Sequence, residues 1–212
     1  MSFNIARISR NPCFEPFDRF FAAPYITLAG PARACAQLEW ALSLDARIFV
    51  MRPAATRTFE GDRGPADPAF DSFWSLVNES GITGVIHTGN SGYSTNGYTA
   101  EGFGRASIGM SRRPSVKNLS LGRAASDYLF SLGCDLFFER FPNVRLASIE
   151  NGSSFLGDLM HHLDQAKNRN PWHFKEDPVE LLKDRVYMSP FWEDDLVDVI
   201  ERMGGDRVLF GS

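Results

Sequence analysis

Cysteine is scarce in this sequence: Cys13, Cys35 and Cys134 are the only three. They are odd in number and widely spaced, which excludes a disulfide framework and a Cys-x-x-Cys metal site and fits a reducing cytoplasm. There is no run of Lys or Arg, and the formal net charge is -4, so the electrostatic footprint of a nucleic-acid or anionic-membrane binder is missing. No apolar stretch approaches the roughly 20 residues that span a bilayer, and Met1–Pro12 has no apolar run of signal-peptide length. A phosphate-cradling loop, a dinucleotide fingerprint, a Gly-x-Ser-x-Gly elbow and a Cys/His dyad are also absent. The expected partner is a small-molecule substrate.

With 43% hydrophobic and 23% charged residues, the chain has ample apolar surface for a packed core. Short β-branched or aliphatic runs recur along it, separated by segments of helical period, as the βα units of a parallel sheet do. Six strands are predicted, at Tyr25–Leu28, Arg47–Met51, Gly84–His87, Val144–Ile149, Val186–Met188 and Val208–Phe210. Their nearly continuous apolar character suits strands covered on both faces. Apolar stripes at three- and four-residue spacing predict covering helices: Phe70, Phe73, Trp74 and Val77; Ala125, Tyr128, Leu129, Leu132 and Leu136; Leu156, Leu159, Met160 and Leu163; Leu196, Val199, Ile200 and Met203. Asp67 is the expected N-cap of the first of these, with Pro68 at its first helical position.

Two segments interrupt the rhythm. Thr88–Asn118 is rich in Gly, Ser and Asn and far longer than a βα loop needs, a length that usually carries function. Ala166–Asp184 holds Pro171, Trp172, His173 and Pro178 and is expected to cover part of the same face. In a parallel βα architecture the loops after the strands build the site. Those strand ends read Arg52, His87, Glu150-Asn151, Ser189 and Gly211-Ser212.

At these positions the sequence resembles the amidohydrolase-related (amidohydrolase 2) family that includes aminocarboxymuconate-semialdehyde decarboxylase. The matching pieces are Phe17-Asp18-Arg19-Phe20, Ala46 to Pro53, Asp67-Pro68 with Phe73-Trp74, Val85 to Gly89, Phe138 to Pro142, Leu146 to Gly152, Val186 to Phe191, and Gly205 to Ser212. Together they span about residues 15 to 212 in the family's order. The resemblance implies an α/β fold in which residues 1–212 are a single domain and a partial TIM (β/α)8 barrel. Its six strands would correspond to the family's third to eighth, with the first two missing. At 212 residues the chain is shorter than the roughly 250 of a closed barrel. Open sheet edges would then favour self-association, a homodimer included.

The implied activity is that of a metal-dependent hydrolase or nonoxidative decarboxylase acting on a small carboxylated or cyclic substrate. The chain as it stands is expected to be inactive, because three family ligands are missing from it. The family's first strand carries a His-x-His pair, whereas the four histidines here are His87, His161, His162 and His173. The family's metal-binding Asp follows the last strand, beyond Ser212. His87 falls at the fifth-strand metal position, where neutral imidazole can ligate Zn2+ or Mn2+. Glu150 stands where the decarboxylase branch usually has a second His; as a carboxylate it is an oxygen ligand, a general base, or an acceptor for turn amides. Both are therefore candidate catalytic and metal-binding residues.

Arg52, Asn151, Ser189 and Trp192 are the candidate substrate-binding residues, Arg52 through a bidentate guanidinium fork or, alternatively, as a salt-bridge partner of a loop acid. Glu193, Asp194 and Asp195 are read as the start of a helix, complementing its dipole. His161 and His162 point in directions about 100° apart on an outer helix and are read as structural. A metal-independent lactonase-like hydrolase using Glu150, Asn151 and Arg52, and a barrel that only binds a small molecule, are the alternatives.

Overall fold

The computed structural model describes residues 22–89, 91, 92 and 116–211. Its centre is a four-stranded parallel sheet built from β1 (Ile48–Met51), β4 (Thr83–His87), β5 (Arg145–Ile149) and β6 (Val186–Met188), side by side in chain order. The pairing is continuous: Met51 lies opposite Ile86, Ile86 opposite Ser148, and Ser148 opposite Met188. The two predicted outer strands are single parallel bridges, Tyr25 to Val50 at one edge and Val208 to Met188 at the other. Beside Tyr25 the bonds from Ile26 N to Val50 O and from Val50 N to Pro24 O are 2.9 and 2.8 Å. Sequential parallel order with a helix in each crossover is the topology expected from the βα rhythm.

Helices α1 (Pro31–Leu42), α2 (Asp71–Ser80), α3 (Val116–Cys134), α5 (Leu156–Arg169), α6 (Pro178–Arg185) and α7 (Leu196–Met203) are joined by the short turn α4 (Phe137–Arg140) and the hairpin β2 (Thr56–Thr58) with β3 (Gly61–Arg63). Alternation along the strands decides what meets them. Phe49 and Met51, Gly84 and Ile86, Leu146 and Ser148, Val186 and Met188 all belong to one face of the sheet and are buried. Phe49 stacks edge-on with Phe73 of α2 at 5.6 Å, and Trp74 packs against Phe137 at 4.8 Å. Trp74 also donates Nε1–H to Pro65 O at 2.8 Å, satisfying its polar atom inside the core. Gly84 is required here, because a Cβ would stand 2.8 Å from Leu146 and 2.9 Å from the Phe49 ring.

The predicted helical stripes are buried with informative exceptions. The stripe through Tyr128 ends early: α3 stops at Cys134, and Leu136 turns the chain with φ 55°. Leu196 and Ile200 of α7 remain 50% and 42% exposed while Val199 and Met203 are buried. Asp67 caps the 3-10 turn Pro68–Phe70 that leads into α2, accepting from Ala69 N.

Ala166–Asp184 does not cover the strand ends as expected. It runs from the end of α5 into α6, and its loop binds back on the helical layer, with His173 Nε2 at 2.7 Å from Cys134 O and Lys175 N donating to Glu139. A crossover helix runs antiparallel to the strands, so its C-terminus returns to their amino edge, the edge opposite the site. Among the described residues no helix is long and apolar enough to cross a membrane.

Two outcomes follow. Gly84→Ala should lower stability by about 1–3 kcal/mol through overpacking, read from urea unfolding. Asp177 caps α6: partial burial pushes its carboxyl up, but Lys167 and the amides of Val179 and Glu180 outweigh this and hold it below the ordinary carboxylate value. The folded state therefore favours the ionised form, and this stability is complete above the unfolded pKa of about 3.9 and lost as pH falls through the folded value. Thermal melts from pH 6 to pH 3 should show Asp177→Asn below the parent near neutrality, with the gap closing at the acid end.

Candidate active site at the carboxyl edge of the sheet

Because the four strands are parallel and in register, their carboxyl ends form one edge. The residues just beyond the paired positions Met51, Ile86, Ser148 and Met188 are Arg52, His87, Ile149 and Ser189. Alternation places this row on the face away from the helices, with neighbouring strands about 4.8 Å apart. Arg52 and His87 thus stand side by side, and a Cβ on Gly89 would be 3.6 Å from Arg52 Cβ and 3.9 Å from His87 O.

Glu150 follows β5 with φ 58°, a left-handed conformation uncommon for a residue with a side chain. That turn brings its Oε2 to 3.2 Å from His87 Nε2, with the two side chains 55% and 42% exposed. His87 Nδ1 is 2.9 Å from Thr88 O. A carbonyl only accepts, so Nδ1 carries the hydrogen and Nε2 of a neutral ring presents its lone pair to Glu150. Two acceptors this close require a proton on one of them or a cation between them. Ligands of one ion bound at about 2.0–2.2 Å lie about 2.8–3.6 Å apart for octahedral to tetrahedral angles. The observed separation fits, and the donor pair of one imidazole and one carboxylate suits Zn2+ or Mn2+. Among the described residues no group of three His, Cys, Asp or Glu converges as a metal site, so His87 and Glu150 could supply only two ligands to an ion.

The turn is held by Asn151, whose buried amide Nδ2 donates to Ile86 O, Ile149 O and Ser148 Oγ at 3.0, 3.0 and 3.2 Å. These acceptors fix the amide's orientation and leave Oδ1 buried without a partner. Ser189 is also buried, its N donating to Ser148 O at 3.0 Å. The structure does not bring Trp192 into the group: it is 95% exposed. The reason lies in Asp194, whose Oδ2 accepts from Ser153 N, Ser153 Oγ and Phe191 N at 2.7, 2.8 and 2.9 Å. This clamp turns Phe191 towards Gly152, where a Cβ would stand 2.8 Å from its ring, and leaves Trp192 in solvent.

The acidic triplet read as a helix start is therefore divided: Asp195 caps α7, whereas Asp194 ties the loop after β5 to the loop after β6. No sequence signal distinguished the two. His161 and His162 are exposed on α5, as their structural reading expected. The motif Phe17–Phe20 and most of the Thr88–Asn118 loop lie outside the described residues.

Beside Arg52 opens a cavity that sequence reasoning missed. It is bounded by the Tyr25–Ala29 segment, the residues after β1 and the first strand of the hairpin. Arg63 anchors the hairpin by ion pairs to Glu60 and Asp67.

No family model and no curated protein sequence matches the chain, but solved structures do. An amidohydrolase, map2389c, from Mycobacterium avium subsp. paratuberculosis superimposes with TM-score 0.81 and 33% identity over 90% of this chain and 48% of its own. A dihydroxybenzoic acid decarboxylase from Polaromonas, solved with bound manganese and the inhibitor 2-nitroresorcinol, gives TM-score 0.68 and 16% identity over 97% and 61%. A 5-carboxyvanillate decarboxylase from Novosphingobium aromaticivorans, also with manganese, gives 0.71 and 17% over 94% and 56%. The chain thus spans about half the length of the first of these and less than two thirds of the others.

Because Asp194 joins two loops through three bonds to a carboxylate, Asp194→Ala should cost about 2–3 kcal/mol. Chemical denaturation checks the magnitude, and a loss under 0.5 kcal/mol on that scale would contradict the clamp.

Proposed function

The chain's structural neighbours are amidohydrolase-family proteins, matching the family read from its motifs, and from that premise we propose that it forms part of a (β/α)8 barrel that performs metal-dependent hydrolysis or nonoxidative decarboxylation of a small carboxylated or cyclic substrate. The observation that carries the reading is the 3.2 Å approach of His87 Nε2 to Glu150 Oε2 at the carboxyl edge of a parallel sheet. His87 and Glu150 are the residues that would hold a divalent ion, and such an ion supplies Lewis-acid polarisation of a substrate oxygen or an acidified water. The Thr88 carbonyl fixes the His87 ring so that Nε2 faces the site. Asn151 fixes the turn that aims Glu150, and Arg52, one strand over from His87, offers a cation to a substrate anion. In decarboxylation the carbon left by carbon dioxide needs a proton, which Glu150 would deliver from its protonated form.

A metal-independent reading has its own support in the same contact. A carboxylate and an imidazole at this distance can act together as general acid and base on a lactone-like substrate, with Arg52 and Asn151 as hydrogen-bonding groups.

Calorimetric titration of chelator-stripped protein with Mn2+ and Zn2+ tests the leading reading. The parent should bind, and His87→Ala and Glu150→Gln should each weaken affinity at least tenfold, about 1.4 kcal/mol. Equal affinity in parent and both variants would remove the pair from metal binding. Release of carbon dioxide from hydroxylated aromatic carboxylates, the compounds named for the neighbouring decarboxylases, is the activity to assay; turnover that survives strong chelators would favour the metal-independent reading.

A further inference from the structure

The approach of Glu150 to His87 is not sustained by the two side chains alone. Both are about half exposed, and a contact between such exposed groups contributes less than it costs to hold a residue with a side chain in the left-handed region. The turn therefore makes the pair, and other groups must hold the turn. Its near side is fixed by Asn151, whose amide binds Ile86 O and Ile149 O. Its far side begins at Gly152, at φ 69°, and glycine crosses between the left- and right-handed regions at little cost. Asn151 by itself would leave that side free to swing.

The far side is held from another loop. Asp194 directs a single oxygen, Oδ2, at Ser153 N, Ser153 Oγ and Phe191 N at 2.7, 2.8 and 2.9 Å, and hydrogen bonds to an ionised acceptor are the strong ones. A Cβ on Gly152 would stand 3.4 Å from the same oxygen and 2.8 Å from the Phe191 ring, so the residues that Asp194 gathers also close in the glycine. Ser153 O accepts from Leu156 N at 2.9 Å, which ties the clamped residue to the start of α5.

We propose that Asp194 is the positioning residue that holds Glu150 against His87. Its bonds are to Ser153 and Phe191, so it acts through the backbone of the turn and not on a ligand. The same carboxylate controls the loop that carries the exposed Trp192, so a displacement of that loop reaches Glu150 through Asp194 and Ser153. Because all three bonds fall on one oxygen, an amide oxygen in the same place can accept them, and Asp194→Asn keeps the geometry that Asp194→Ala loses. The consequence for metal affinity rests on the function proposed above, whereas the consequence for the His87 ring does not.

The test follows the ring-nitrogen NMR signals of His87, assigned by their loss in His87→Ala, in the full chain at one fixed pH with a chelator present. Glu150→Ala gives the signals of a ring without its carboxylate neighbour. Asp194→Ala should move the His87 signals at least half of the way to that position, with those of His161, His162 and His173 unmoved, a selectivity that general loosening of the fold would not produce. Ser153→Ala, which removes one of the three bonds, should move them less in the same direction, and Asp194→Asn should leave them at the parent's position. In parallel, Mn2+ affinity should fall about tenfold or more in Asp194→Ala and stay at the parent's level in Asp194→Asn. A folded Asp194→Ala with parent-like His87 signals would overturn the assignment, and so would an Asp194→Asn displaced as far as Asp194→Ala. Should Asp194→Ala not fold, Ser153→Ala decides in its place, and His87 signals unmoved there count against the assignment equally. A parent that binds no Mn2+ would sink the function proposed above and leave the ring signals to decide this one.

Discussion

Parallel register is the constraint from which the rest of this molecule follows. Met51, Ile86, Ser148 and Met188 are aligned across four strands, so the next residue on each strand emerges at one edge and on one face. A one-residue slip of β1 or β4 would send Arg52 or His87 into the helical layer. Against such a slip stands the other face, where Phe49, Ile86, Leu146 and Met188 are fully buried. Reversing any of them would expose large apolar side chains and bury ionisable ones at a cost of several kcal/mol. Core packing thereby positions the site chemistry without touching it.

The edge itself is organised by polar contacts between loops. Asn151 binds the ends of β4 and β5 together, Asp194 binds the loop after β5 to the loop after β6, and Thr88 orients the His87 ring. The Asn151 and Asp194 contacts act across strands, so the edge behaves as one unit rather than as separate strand tips. Glu150 carries the conformational strain of this arrangement at φ 58°, and the result of that strain is its approach to His87. Arg52 links this pair to the neighbouring cavity, so the cationic and apolar surface around the first strand belongs to the same edge.

The family resemblance gains weight from how the pieces are arranged. Short motifs such as Val85–Gly89 or Leu146–Gly152 are common individually, but in the structure they fall on adjacent strands with their polar ends together. Fold similarity to a protein 33% identical over 90% of this chain agrees with that arrangement. Barrel identity leaves reaction type open, because different chemistries occupy the same edge through different loops.

The order of strands and helices, the buried stripes through Phe73 and Leu159, the capping role of Asp67 and the polar strand ends were legible in the sequence, since each depends on periodicity or turn chemistry within a few residues. The distance between His87 and Glu150 was not, although both were named: it depends on pairing between segments 63 residues apart and on a left-handed turn at a residue that rarely adopts one. The same holds for Asp194, whose three partners include Ser153 far back in the chain, and for the outward position of Trp192. The Ala166–Asp184 segment shows the limit most clearly. Its composition resembled that of a site loop, but the direction of α5 carried it to the opposite edge, because only the packed helix and sheet determine which end of the strands a connection reaches.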